Sequence, residues 1–174
     1  MVTTEAVLVQ QEWHARAQAA LESVPDPEIP IVSLWDLGMV YELTPLQETG
    51  IHAELLPTFS GCPALDTIRT SAEEALYKAG FSPVEVVFNL RYPYTSDRIT
   101  ERGRANLRAW GITPPDADAN VLVAESLDFL DAIECPRCSS RQTQMRSPFG
   151  PALCRSLHFC FSCNNAFEAF KPIC

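Results

Sequence analysis

Residues 51–90 read IHAELLPTFSGCPALDTIRTSAEEALYKAGFSPVEVVFNL. Two strand-like segments flank a helical one, and that alternation decides the fold. Ile51, Ala53 and Leu55 fall on one side of an alternating pattern, as in a half-buried strand. From Pro63 to Ala79, the residues Leu65, Ile68, Ala72, Leu76 and Ala79 recur at three- and four-residue steps, one apolar stripe on a helix. Pro63 suits its first turn and Gly80 its stop. Val84, Val86, Phe88 and Leu90 then alternate again, which predicts another strand.

Upstream, residues 39–43 read as a strand and TPLQETG as the turn that returns it antiparallel to residues 51–55. PDPEIP holds three prolines in six residues, which excludes helix and strand and makes a rigid bend. Before it, Trp13, Ala17, Ala20 and Leu21 predict a helix over residues 12–23, ended by Pro25. The order helix, strand, strand, helix, strand predicts an α+β fold, a small α/β sandwich. Downstream, Ser96 or Asp97 is expected to cap a helix over residues 99–110. A linker is expected at 113–132, between an α/β domain (1–112) and a cysteine-rich module (133–174).

The composition fits a packed globular chain of 174 residues, 47% hydrophobic and 20% charged. No apolar run approaches the ~20 residues that span a bilayer, and residues 1–18 lack a signal-type pattern, so the expected location is cytoplasmic. The net charge of -9 opposes phosphate-backbone binding over most of the surface. Residues 1–132 carry 8 Lys/Arg against 20 Asp/Glu, whereas residues 133–174 carry 5 against 2. That break coincides with the start of the cysteines and sets the expected boundary. Arg137, Arg141, Arg146 and Arg155 are too scattered to make a nucleic-acid patch. No Gly-rich phosphate loop or nucleophile–base motif points to an independent enzyme.

Seven cysteines without a secretory pattern favour metal or thiol chemistry over disulfides. Cys135-Pro-Arg-Cys138 and Cys160-Phe-Ser-Cys163 form two C-x-x-C knuckles with 21 residues between them. Four thiolates at tetrahedral angles suit a structural zinc or an iron–sulfur cluster, and thiolates alone do not separate the two. A segment of about forty residues buries too little core alone, so a metal is structurally necessary. Cys154 and the terminal Cys174 either offer alternative thiolates to this site or pack and fray. His158 reads better as a buried aromatic filler than as a ligand.

Cys62 stands apart, where a strand hands over to a helix. Free amides and the positive end of a helix dipole there would lower its pKa and raise its reactivity and metal affinity. Gly61 would let backbone approach a ligand, Pro63 stiffens the turn, and Thr58 and Ser60 add hydroxyls. The alternative is a small apolar residue that fills the joint. Asp26 and Glu28 are read as caps of the proline-rich bend in preference to acid–base groups. His14 and His52 are read as solvent-facing.

DPEIPIVSLWDLGMVYEL (26–43) followed by PTFSGCPALDTI (57–68) resembles the domain family of iron–sulfur assembly proteins. Joined to CPRC…FGPALCRSLHFCFSC…FEAFK, the chain resembles the phenylacetate-degradation protein D family over about residues 20–171. The resemblance implies an accessory, non-catalytic role beside the phenylacetyl-CoA ring epoxidase, maturing an iron or iron–sulfur centre. Partners would be the epoxidase components, especially its iron–sulfur reductase, or a second copy in a homodimer. It implies zinc in the C-terminal module and a transient iron or cluster at Cys62. Asp26, Pro27, Glu28, Asp36, Gly38 and Val40 match the first signature, and Ser60, Gly61, Cys62 and Pro63 the cysteine loop. The segment YPYTSDRI departs from the family pattern: tryptophans would be expected in place of Tyr94 and Arg98, which bears on partner identity. The alternative is a structural or regulatory subunit of the oxygenase without cofactor transfer.

Overall fold

The computed structural model describes residues 4–115 and 133–171, with side chains from residue 9 onward. β2 (Gly50–Leu55) and β3 (Val84–Phe88) pair in parallel, Ile51 opposite Val84 and Leu55 opposite Phe88. The helix α2 (Leu65–Lys78) is the crossover between them and buries Ile68, Ala72 and Leu76, the stripe its periodicity predicts. β1 (Val40–Leu46) pairs antiparallel with β2, giving the sheet order β1-β2-β3. The strand expected at residues 39–43 thus runs on to Leu46, and the turn shrinks to residues 47–49. Pro45 is tolerated inside β1 because β1 is an edge strand, where a missing N–H need not break the ladder.

The first helix, α1 (Thr4–Glu22), starts well before residue 12 and packs against α2. Ala17 and Leu21 are fully buried, and Trp13 meets Phe81 edge-on at 5.7 Å. These side chains share one core with Ile51, Ala53 and Leu55 on the sheet. Each fully buried Leu or Ile contributes about 1.5–3 kcal/mol over an exposed one.

Beyond β3, Ser96 and Asp97 do not cap a helix; they lie in a 3₁₀ turn, Ser96–Arg98. α3 spans Glu101–Trp110, and Thr100 is its cap, its hydroxyl accepting the Gly103 N–H at 3.0 Å. The reason is tertiary: the Asp36 carbonyl accepts the Thr100 N–H at 2.9 Å and holds that residue extended. Within residues 92–99, Tyr94, Ser96 and Ile99 face inward. Tyr94 is buried and donates its hydroxyl to the Leu37 carbonyl at 2.6 Å. Arg98 donates to the carbonyls of Gly38 and Val40, both at 2.8 Å. Gly38 has φ +67°, and a Cβ there would overlap the Arg98 backbone carbonyl, so glycine is required.

The second sheet contains β4 (Ile112–Thr113), β5 (Thr143–Ser147), β6 (Arg155–Cys160) and β7 (Asn165–Phe170), in the order β4-β7-β6-β5. β5, β6 and β7 form an antiparallel meander, and β4 adds in parallel, Thr113 opposite Ala169. Thr113, expected to open a linker, is therefore a strand residue, and its hydroxyl donates to the Glu134 carbonyl at 2.8 Å. Residues 116–132, the rest of that expected linker, and Cys174 lie outside the described residues. Phe170, Ala152 and Cys154 are buried in the same core as Leu21, Leu37 and Leu55. The cysteine-rich segment keeps only a small cluster of its own, Cys135, Cys160 and Phe167, edged by Ile133 and Cys163.

A candidate metal centre and a separate thiol pocket

The sulfur atoms of Cys135, Cys138, Cys160 and Cys163 lie within 4.8 Å of one another. Cys135 and Cys138 sit in a tight turn, closed by the Ser139 N–H on the Cys135 carbonyl at 2.9 Å, with Ser139 at φ +57°. Cys160 ends β6, and Cys163 lies in the turn before β7, where Asn165 donates to its carbonyl at 2.6 Å. Two edges of the sulfur quartet measure 3.8 Å (Cys135–Cys163) and 3.6 Å (Cys138–Cys160). Four sulfurs at about 2.3 Å from one ion lie roughly 3.8 Å apart at tetrahedral angles. The quartet thus fits a single ion, whereas a multi-iron cluster would spread its thiolates further. Burial pushes the Cys160 thiol up, but the N–H groups of Cys163 and Ser162 together with hydrogen bonds to the Cys138 and Cys163 thiols offset this, so its pKa is lowered. Those knuckle amides favour the thiolate that a metal needs.

His158 is fully buried, bonded to the Ser156 hydroxyl at 2.9 Å and stacked on Phe167 at 5.5 Å. It stands outside the quartet. Cys154 does too, so the expectation of an alternative ribbon thiolate is corrected. It is buried in the turn just before β6, where it lines a small pocket with Cys62.

Cys62 is half-buried on the loop between β2 and α2. Its N–H donates to the Phe59 carbonyl at 3.0 Å, and α2 begins only at Leu65, after the cap position Ala64. The expected lowered pKa is not what this geometry produces: the Cys62 pKa is raised. Burial is the main cause, the Ala64 N–H works against it, and the carboxylates of Glu28 and Asp26 add to it. One amide is too little to outweigh burial and two negative neighbours. Asp26 does cap the bend, Oδ1 accepting the N–H groups of Glu28 at 2.8 Å and Ile29 at 2.9 Å. Burial raises its pKa, and those two amides oppose the shift.

The predicted site residues therefore separate. Asp26, Glu28, Thr58, Cys62 and Pro63 line one pocket with Cys154. Ser60 and Gly61 are exposed on the loop outside it. A Cβ on Gly61 would press on the Phe59 ring at 3.1 Å. Asp36 and Gly38 serve the core. Asp36 accepts from Arg102 at 2.7 Å, Thr100 at 3.1 Å and the Ser33 N–H at 3.3 Å. Burial pushes the Asp36 carboxyl up, yet Arg102 and these hydroxyl and amide donors hold it below the usual range. His14 is exposed beside Trp35, but His52 is half-buried between Glu54 at 3.5 Å and Glu85 at 3.0 Å. Sequence reasoning missed Cys154 as a pocket residue; its only signal was a cysteine left over from two complete knuckles.

Residues 14–87 match the iron–sulfur cluster assembly protein family, and residues 124–171 match the PaaD zinc beta ribbon domain. The chain is 39% identical over 155 residues to a putative 1,2-phenylacetyl-CoA epoxidase subunit of Escherichia coli strain K12, covering 89% of this chain and 90% of that one. A domain of unknown function DUF59 from Bacillus anthracis shares the fold of the α/β part. That match has a TM-score of 0.54 at 24% identity, over 58% of this chain and 96% of that one. Matched in both halves and over most of its length, the chain belongs to the PaaD family, an iron–sulfur cluster assembly-type domain joined to a zinc beta ribbon.

Proposed function

We propose that the protein is an accessory factor of phenylacetyl-CoA epoxidase in phenylacetate catabolism, and that it helps install an iron or iron–sulfur centre in an epoxidase component. The similarity to an epoxidase subunit supports the pathway, and the iron–sulfur assembly-type domain supports the accessory role. The observation that carries the reading is Cys62: a half-buried thiol on a loop of that domain, lining a pocket edged by Asp26 and Glu28. A metal cargo would meet sulfur and carboxylate there, and among the described residues no basic side chain lines the pocket to repel it.

The ribbon takes a different part. Its quartet offers four sulfurs and no open position, so the ion it holds is structural, and the sulfur spacing favours zinc over a cluster. No helix among the described residues is long and apolar enough to cross a membrane. The iron–sulfur reductase of the epoxidase is the client we favour.

A strain that makes Cys62→Ser in place of the wild-type chain tests this. The variant is expected to fold and accumulate normally while the reductase component loses most of its iron. Full client iron in that strain would leave a structural or regulatory subunit as the better reading. Stable co-purification of the variant with the epoxidase would then be expected, since the relative is itself named a subunit.

A further inference from the structure

We propose that Cys62 and Cys154 form a second metal site, with Asp26 and Glu28 supplying carboxylate oxygens, that takes one thiophilic divalent cation between the two halves of the chain. Cys154 is not a ribbon ligand. It belongs to the ribbon segment by sequence, yet it stands outside the ribbon quartet and faces the α/β part. Its backbone is fixed there. The Cys154 carbonyl accepts the Lys171 N–H at 2.9 Å, while Lys171 Nζ donates to the neighbouring Leu153 carbonyl at 2.8 Å. The turn that carries it is closed by the Gly150 N–H on the Arg155 carbonyl at 2.8 Å and the Arg155 N–H on the Ala152 carbonyl at 3.1 Å.

Size and chemistry then narrow the occupant. The pocket has a volume of about 20 Å³, room for roughly one water-sized particle. That excludes a preformed multi-iron cluster and admits a single ion. Two thiols with two carboxylates form a mixed sulfur–oxygen set, suited to ferrous iron, zinc or cobalt and poorly suited to magnesium or calcium. The carboxylates of Asp26 and Glu28 line the same pocket as both sulfurs, so a cation there would meet sulfur and oxygen together. Asp26 keeps Oδ2 available, since its amide bonds use Oδ1. The Arg155 guanidinium, whose charge acts on Asp26 and Cys154, is engaged by Glu168 at 2.6 Å. On binding, the two thiols release two protons to solvent and each sulfur forms one bond to the metal.

Among the described residues only the ribbon quartet has three or more ligand atoms within 4.8 Å of one another. The Cys62 residues therefore line one pocket without closing on an ion in this structure, and capture would require the Cys62 loop to draw toward Cys154. A site that must close around its ion holds it less tightly than a rigid one, as an ion in transit requires. Naming that ion as ferrous cargo rests on the assembly reading above; the site itself does not.

Cobalt(II) is the probe, added without oxygen to the full chain whose ribbon already holds zinc. The expected result is one further equivalent bound, with a sulfur-to-cobalt charge-transfer band about half the intensity that four thiolates give. Cys62→Ser and Cys154→Ser should each halve that band and weaken binding at least about tenfold, the loss that even an outer partner of a metal ligand produces. Because Cys154 is buried, retained zinc stoichiometry and far-UV circular dichroism report whether its variant has folded. Glu28→Gln, on an exposed residue, should weaken cobalt binding without touching the fold. The site is overturned if folded Cys154→Ser keeps the wild-type band, or if the zinc-loaded chain takes up no cobalt. The two readings fail separately: cobalt loss in both cysteine variants with normal client iron leaves the site standing and removes the assembly role. Client iron lost in Cys62→Ser, with cobalt binding unchanged in Cys154→Ser, does the reverse.

Discussion

Phe170→Ala tests whether the two halves of the chain are one folding unit. Phe170 closes β7, is 2% exposed, and lies in the same buried cluster as Leu37, Met39 and Ile68 of the α/β part. Truncation leaves a cavity on that shared core, so the cost is about 3–5 kcal/mol, the range for a buried Phe→Ala. For a chain of this size that corresponds to a fall in Tm of roughly 6–20 °C, at about 2–4 °C per kcal/mol. Two probes make the assay decisive. Tryptophan fluorescence reports the α/β part, because Trp13, Trp35 and Trp110 all precede the ribbon. Cobalt absorption at a cobalt-substituted ribbon reports the cysteine quartet. Both transitions should move together and by the same amount. A ribbon transition that shifts alone, or a joint loss below about 1 kcal/mol, would show that the shared core does not couple the halves.

Two further outcomes follow from the geometry. Asp36→Asn should cost about 1.5–3 kcal/mol at neutral pH, the worth of hydrogen bonds to a charged group, because Arg102, Thr100 and Ser33 all bond that carboxylate. Its folded pKa lies below the unfolded value of about 3.9, so this stability is present above that pH and lost as pH falls through the folded pKa. Urea titrations from pH 7 to pH 3 should therefore show the wild type converging on the variant in acid; a constant gap would contradict the charge assignment. Removal of the ribbon ion by a strong chelator should abolish hydrogen-exchange protection along β5 and β6, since Cys135, Cys160 and Phe167 make too small a cluster to hold that hairpin. Protection that survives chelation would mean that packing suffices.

Much of this molecule was legible because its signals are local. The stripe Ile68, Ala72, Leu76 and the alternation through residues 51–55 and 84–88 each need only a few neighbours to be read, and each formed, although β3 stops at Phe88 and leaves the expected Leu90 exposed. The two knuckles are likewise short-range patterns, and their four sulfurs converge. The larger failures lie where a distant segment decides. Thr100 caps α3 because the Asp36 carbonyl holds it extended, so Ser96 and Asp97 were the wrong candidates. Ile112 and Thr113 carry too little pattern to announce a strand, and they form one only because β7 offers an edge. The Cys62 electrostatics reverse for the same reason: a dipole argument uses residues 62–65, whereas the burial that mainly raises the pKa, with a smaller push from Glu28 and Asp26, comes from segments packed over the loop. Tyr94 and Arg98, which depart from the expected tryptophans, bond the carbonyls of Leu37, Gly38 and Val40 where the chain enters β1.

The most direct test of the central claim is reconstitution in a closed system. Apo-reductase of the epoxidase, ferrous iron and sulfide are mixed anaerobically with the zinc-loaded chain, and the visible absorption of the client's rebuilt centre is followed after the two proteins are separated. The account predicts faster and more complete recovery with the wild-type chain than with iron and sulfide alone, and no such gain with Cys62→Ser. Equal recovery with the wild type and the variant would contradict it.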